Sequence, residues 1–199
     1  MKITYNSPTT LSFTIICTSI HLIKHFLFSD FIVLFTAQGS LENAGFFTFF
    51  GLFSHVLGHA DWDHLLSNLS LILILGPILE EKYGSIQILF MILITAFATG
   101  VLNLLLFDSG ILGASGIVFM MILLSSITNF KSGEIPLTFV LVLFFYIGRE
   151  VISAFNDDQI SQFGHIIGGI CGACFGFFIN REKSKKNDKP KKTNANFVY

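Results

Sequence analysis

Charge is what this 199-residue chain has least of. Lys, Arg, Asp and Glu together make up 13% of it, against 52% apolar residues, and the mean hydropathy is +0.71. A water-soluble domain carries about 25% charged residues, so the composition excludes the soluble class and points to the membrane. The apolar runs lack period-2 alternation, which excludes a spanning β-barrel. Only three cysteines are present. Cys171-Gly172-Ala173-Cys174 has the form of a redox or zinc pair, but it lies mid-run in a glycine-rich segment with no second pair, so small packing residues are the better reading. Before the first apolar run the only basic residue is Lys2, and the run itself carries His21, Lys24 and His25. No cleavable signal peptide is expected there, only an uncleaved anchor. No repeat of solenoid period and no His-Glu-x-x-His motif occurs.

What the chain does have is phenylalanine, 24 of them, and long apolar runs. A bilayer span needs about 17–25 mostly apolar residues. Six runs qualify: Leu11–Phe28, His64–Glu80, Ile86–Phe107, Ile111–Phe130, Pro136–Phe155 and Ser161–Asn180. The expected fold is an all-α, polytopic, six-transmembrane-helix bundle over residues 11–180. It is preceded by a short N-terminus at 1–10 and followed by a basic tail at 181–199, read as disordered. That tail, from Arg181 through Lys192, holds more than half of the basic residues, and the positive-inside rule puts it in the cytoplasm. Six spans then put the N-terminus inside too. Lys82 and Lys131 fall in inner loops, whereas the outer loops, with Asp61, Asp63, Asp108, Asp157 and Asp158, have no Lys or Arg. The connection at about 29–63 is long and aromatic, with Phe46-Phe47-Thr48-Phe49-Phe50, and is expected in the outer interface as short amphipathic pieces. Gly76-Pro77 interrupts the second span near its inner end, before a helix end and turn at Glu80–Gly84.

Polar groups inside a membrane are costly, so each is a functional hypothesis. In a six-span topology the second, fourth and sixth helices all run from outside to inside. His64 and Asn68, Ser115 in Gly113-Ala114-Ser115-Gly116, and His165 each fall in the first turn or two of one of these helices. At 1.5 Å per residue they share a depth in the outer half of the bilayer. Singly, each has a bland reading: a packing turn, a satisfied structural histidine, an inter-helix hydrogen bond. Together they supply acyl-transfer chemistry, which needs a nucleophile, a base and donors for the oxyanion. Ser115, with small neighbours, is the candidate nucleophile. His165 is the candidate base, within roughly 2.6–3.2 Å in the reactive state. His64 and Asn68, four apart on one helix face, are the candidate oxyanion donors, helped by the amide of Ser115. No carboxylate is placed to orient His165, so a dyad is expected rather than a triad, with Phe119 one turn below Ser115 to pack on the imidazole. Gly164, Gly168, Gly172 and Gly176 form one face of the sixth helix and allow a neighbour to approach closely.

With His59-x4-His64-x3-Asn68, Gly113-Ala114-Ser115-Gly116 and His165-x2-Gly168-x3-Gly172 in this order, the chain resembles the rhomboid intramembrane serine proteases over about Ser54–Phe178. The resemblance implies a Ser115–His165 dyad, oxyanion support from His64 and Asn68, a water-filled cavity opening outward, and no metal or other cofactor. Its implied partners are the lipid bilayer and single-span membrane proteins cut near the outer face at small residues; no nucleic-acid partner is expected. It implies a multi-pass protein of the bacterial plasma membrane, in the minimal form without an added soluble domain. Glu80 with Gly84 fits the family pattern. Phe50-Gly51 stands where many members carry Trp-Arg, which leaves the bracing of the first outer loop open. Two other readings stay open. One is a catalytically silent membrane adaptor, although both dyad residues are retained. The other is a metal-dependent hydrolase or metal transporter built on His55, His59, Asp61, Asp63 and His64.

Overall fold

The computed structural model describes residues 3–41, 44–127 and 159–187, with five scattered helical positions between 137 and 145. The expected fifth span, with Arg149 and Glu150, lies outside the described residues except for those positions, as does the tail beyond 187. The described residues are helical and contain no strand. α1 (Pro8–Phe26) is followed by a 3₁₀ segment (Ser29–Phe35), α2 (Phe46–Ser54) with a 3₁₀ extension (His55–Leu57), α3 (Trp62–Tyr83), α4 (Ser85–Leu106), α5 (Ser115–Ile127) and α6 (Gln159–Asn187). Trp62–Tyr83 and Ser85–Leu106 are each long and apolar enough to cross a bilayer; Phe46–Leu57, Ser115–Ile127 and Gln162–Phe178 are shorter apolar helices.

The helix limits follow from local chemistry. Pro8 opens α1, where its missing N–H costs nothing, and Lys24 and His25 sit in its last turn, against the negative dipole end. Asp61 caps α3, its carboxylate accepting from the His64 amide at 2.8 Å. Pro77 is carried inside α3, which runs on to Tyr83 rather than being interrupted at Gly76-Pro77. Contacts with α1 hold this stretch. A Cβ on Gly76 would lie 2.5 Å from the Thr10 side chain, so only glycine lets α1 pass so close. One turn further, the buried Glu80 carboxylate accepts from the Thr9 amide at 2.8 Å, the Thr10 amide at 2.9 Å and the Thr10 hydroxyl at 2.7 Å. Those two amides belong to the first turn of α1, whose donors have no intrahelical acceptor. Gly84, at φ 91°, then turns the chain into α4.

α5 begins at Ser115, four residues later than its apolar run. Ile111 is diverted into an antiparallel bridge with Ala37, with both N–H···O bonds at 2.9 Å, and Gly113 takes φ 125°. From Gly116 to Met121 every residue of α5 is buried, the pattern of a central helix surrounded by others. Its most extensive partner is α6. There the glycine face works as a contact surface: a Cβ on Gly168 would overlap the Gly116 carbonyl, and one on Gly172 the Met120 carbonyl. α6 continues into the basic stretch as far as Asn187, through Arg, Glu and Lys, which are good helix formers.

The long first connection is built of the 3₁₀ segment and α2. Phe46, Phe47, Phe49, Phe50 and Phe53 are exposed, as are Phe90, Ile94 and Leu105 of α4. Such an apolar exterior belongs in lipid. At Phe50-Gly51 the loop is braced without a Trp-Arg pair. A Cβ on Gly51 would lie 2.6 Å from the Thr36 carbonyl, so α2 lies directly on the 3₁₀ segment's end. Phe50 packs on Phe35 and Phe46, and the Ser54 hydroxyl donates to the Leu34 carbonyl at 2.7 Å.

Candidate active site

His64 and Asn68 on α3, Ser115 on α5 and His165 on α6 line a single cavity of about 240 Å³. Each is placed by a feature already described. The Asp61 cap fixes the first turn of α3, so His64 and Asn68 project from one face, one turn apart. The Ile111 bridge and the Gly113 turn set the start of α5, leaving Ser115 at its first position. The glycine contacts between α5 and α6 bring His165 over α5, where its ring meets Phe119 at 4.3 Å between centroids.

The His64 imidazole lies against the turn that leads into Ser115. A Cβ on Gly113 would be 2.5 Å from His64 Cε1 and 2.7 Å from Nε2. Asn68 is buried, and its amide nitrogen has no hydrogen-bond partner among the described residues although it belongs to the cavity wall. The first amides of α5 are likewise unspent by the helix itself. The cavity therefore joins a hydroxyl, an imidazole and several N–H donors. The rest of the wall is the apolar Leu71, Val118 and Ile122, together with Ser67, whose hydroxyl donates to the His64 carbonyl at 3.1 Å. Those four were not singled out in the sequence, where they read only as ordinary members of apolar helices.

The turn before Ser115 is tied to the first connection. The Gly113 amide donates to the His55 carbonyl at 2.9 Å. The His55 ring is buried and doubly bonded: Nδ1 lies 3.0 Å from the Gly51 carbonyl and Nε2 3.1 Å from the Thr99 hydroxyl. A carbonyl only accepts, so Nδ1 carries the proton, and Nε2 faces the Thr99 hydroxyl, whose single proton is also within reach of the Thr95 and Ala96 carbonyls at 2.9 and 3.0 Å. Burial pushes the His55 pKa down to about 4, which keeps this neutral tautomer at physiological pH. His59 is also pushed down to about 4, chiefly by burial and then by nearby His64, against whose ring it packs edge-on at 5.1 Å. Lys24 of α1 donates to the His59 and Ala60 carbonyls and closes the corner behind this ring.

The five residues of the metal reading are thus divided. His55 is bound to Gly51 and Thr99, and Asp61 is spent on the α3 cap. Among the described residues no three His, Cys, Asp or Glu side chains group closely enough to hold a metal ion.

Helices with a lipid-exposed apolar exterior, packed around a buried polar cavity, define an all-α membrane protein with its chemistry sunk among the helices. The chain belongs to the rhomboid family: the model of the Rhomboid domain matches residues 46–182. The chain is similar to the rhomboid protease GlpG of Haemophilus influenzae, with 26% identity over 181 residues covering 89% of this chain and 93% of that protein. It is also similar to the chloroplastic Rhomboid-like protein 11 of Arabidopsis thaliana, with 22% identity over 153 residues covering 69% of this chain and 55% of that one.

Proposed function

We propose that this rhomboid protein is an intramembrane serine endopeptidase that cuts within or next to transmembrane segments, with Ser115 as nucleophile and His165 as general base. The observation that carries the reading is the one cavity shared by Ser115, His165, His64 and Asn68. Ser115 Oγ attacks the scissile carbonyl carbon as His165 takes its proton. The carbonyl oxygen becomes an oxyanion, met by His64, the Asn68 amide and the Ser115 N–H. Collapse breaks the C–N bond, and His165 returns the proton to the leaving amine. Water then repeats the sequence on the acyl-enzyme, releasing the acid and Ser115. Only the chain's own groups and water take part, and the polar cavity is where water gathers.

Six spans with both termini in the cytoplasm place this cavity in the outer half of the membrane. The first connection then lies at the outer face, and the basic tail lies inside. Substrates follow from that placement: single-span proteins whose helix unwinds easily, because a scissile amide hidden in helical hydrogen bonds must first be exposed. Small residues and helix breakers lower that cost.

Ser115→Ala tests the reading. Cleavage of a reconstituted transmembrane reporter should fall to background while thermal unfolding is unchanged, and labelling of the wild type by a fluorophosphonate should disappear. Undiminished cleavage by folded Ser115→Ala would sink the proposal. A wild type that binds transmembrane helices but is never labelled would identify the silent adaptor instead.

A further inference from the structure

The His59 ring has no bond of its own to hold it. It is fully buried, and among the described residues neither of its nitrogens has a hydrogen-bond partner. Its place is therefore set by its backbone and by the rings around it. One of those rings is His64, met edge-on at 5.1 Å between centroids. The same His64 ring abuts the Gly113 turn, where a Cβ would come within 2.5 Å of it. His64 thus has two close neighbours, His59 and the turn that delivers Ser115, and a shift of the first moves it against the second.

The backbone of His59 belongs to a short irregular stretch, residues 58–60, between the 3₁₀ extension and the Asp61 cap. What fastens this stretch comes from α1. Lys24 donates to the His59 carbonyl at 3.1 Å and to the Ala60 carbonyl as well. A lysine in the last turn of a helix ordinarily serves the free carbonyls of its own helix. Lys24 stands in the last turn of α1 and is half-buried, yet its ammonium reaches carbonyls 35 and 36 positions further along the chain. A hydrogen bond from a charged donor is about twice as strong as a neutral one. Beside it, His21 packs edge-on against Trp62, the first residue of α3, at 4.5 Å, and His25 lies 5.7 Å from the same indole. The outer end of α1 therefore grips both the 58–60 turn and the start of α3. This grip comes from outside residues 46–182, the part of the chain that the Rhomboid domain matches.

We propose that Lys24 is a positioning residue for the oxyanion site: from α1 it fixes the 58–60 turn, and through His59 it holds the His64 ring at the wall of the polar cavity. The effect on turnover rests on the reading of Ser115 as nucleophile; the grip on His59 does not. His64 meets negative charge only in the transition state, so displacing it slows the chemistry without weakening substrate binding. Lys24 also acts on His59 by its charge. Burial pushes the His59 pKa down to about 4, and the charges of His64, His21 and Lys24 oppose a proton there in the same sense. Removing the ammonium lets the His59 pKa rise.

The test uses the full chain and two readouts. In vesicles, cleavage of a transmembrane reporter by Lys24→Met should show kcat lower by about 10²-fold, the loss for a catalytic group misplaced by about 1 Å, with KM unchanged. Lys24→Arg, which keeps the charge and the N–H donors, should recover most of kcat. Lys82→Met, a lysine lost from the inner end of α3, should match the wild type. In micelles, the His59 ring is followed by NMR of the histidine-labelled chain, its signal assigned by its loss in His59→Phe. At about pH 5 the wild-type ring is mostly neutral. Its protonated fraction should rise severalfold in Lys24→Met and return in Lys24→Arg. A residue that only stabilised the fold would lower the unfolding temperature and leave this fraction unmoved. Should Lys24→Met not fold, Lys24→Gln, with an N–H donor and no charge, is read by the same two measurements. A wild-type kcat without the ammonium, a loss that Lys24→Arg does not repair, or an unmoved His59 fraction overturns the proposal. A wild type that neither cleaves nor takes up a fluorophosphonate overturns the protease reading instead, and the His59 fraction still decides whether Lys24 holds the turn.

Discussion

The backbone carbonyl of His55 accepts the amide of Gly113 at 2.9 Å. One hydrogen bond thus joins the end of the first-loop helix to the turn that delivers Ser115. His55 is itself held at both ring nitrogens, by Gly51 of α2 and by Thr99 of α4. The position of the Ser115 turn is therefore set by α4 through a buried imidazole, and α2 is packed against both.

Thr99→Val removes the hydroxyl that pairs with His55 Nε2 while keeping shape. Leaving a buried polar atom unsatisfied costs about 1–3 kcal/mol. The variant should unfold at a lower temperature, and fluorophosphonate labelling of Ser115 should fall severalfold because Gly113 loses its fixed support. Thr99→Ser, which keeps the hydroxyl, should recover most of the labelling. A Val variant that labels like the wild type would show that the Gly113 turn holds without this network.

Gly113→Ala is expected to be far more damaging than its single carbon suggests. At φ 125° an L side chain is strained, and the new Cβ would meet the His64 ring at 2.5 Å. Either the turn or the imidazole must move. The cleavage rate should drop about 10²-fold, the usual loss for an oxyanion donor out of place. Gly45→Ala, where a Cβ meets nothing within 4 Å, is the matched control and should retain activity.

The positions of α1, α3, α4 and α6, and the meeting of His64, Asn68, Ser115 and His165 at one cavity, could be read from apolar runs and helix direction, because both depend on local pattern. The late start of α5 could not, since the run is apolar from Ile111 onward. What cuts it short is a pairing with Ala37, 74 positions away. Glu80 read as the polar end of a helix and as a position fitting the family pattern, with no partner named for it. Its role as acceptor for Thr9 and Thr10 needs the packing of α1 on α3. His55 and Asp61 looked like members of one ligand-rich patch because they are close in sequence, yet one faces α4 and the other caps α3.

Acid should destabilise the protein in a defined window. His55 and His59 are both pushed down to about 4 by burial, whereas in the unfolded chain they titrate near 6.5. Between these values the unfolded chain binds protons that the folded one refuses, so stability is full above about pH 6.5 and is lost as pH falls toward 4. Each group contributes on the order of 3 kcal/mol across that window. Thermal unfolding measured from pH 7 to 4.5 should show the midpoint falling steadily. His59→Phe, which keeps a ring beside His64 but cannot titrate, should flatten the slope. A midpoint independent of pH would contradict the burial of these rings.

The α5–α6 contact makes the last prediction, because it separates glycines that look equivalent in sequence. Gly168 and Gly172 face backbone carbonyls of Gly116 and Met120, which cannot yield without moving the helix. Gly164 faces only the Ile111 side-chain tip, 3.0 Å from a new Cβ, which can rotate aside. Gly168→Ala should therefore force α6 outward, cost about 1–3 kcal/mol by overpacking, and draw His165 away from Ser115. Misplacement of about 1 Å costs on the order of 10²-fold in rate. Gly164→Ala, one turn away and next to His165, should stay within a few-fold of wild type. Cleavage of a transmembrane reporter, with thermal unfolding measured in parallel, reads both effects. Equal activity in the two variants would mean that close helix approach does not position His165.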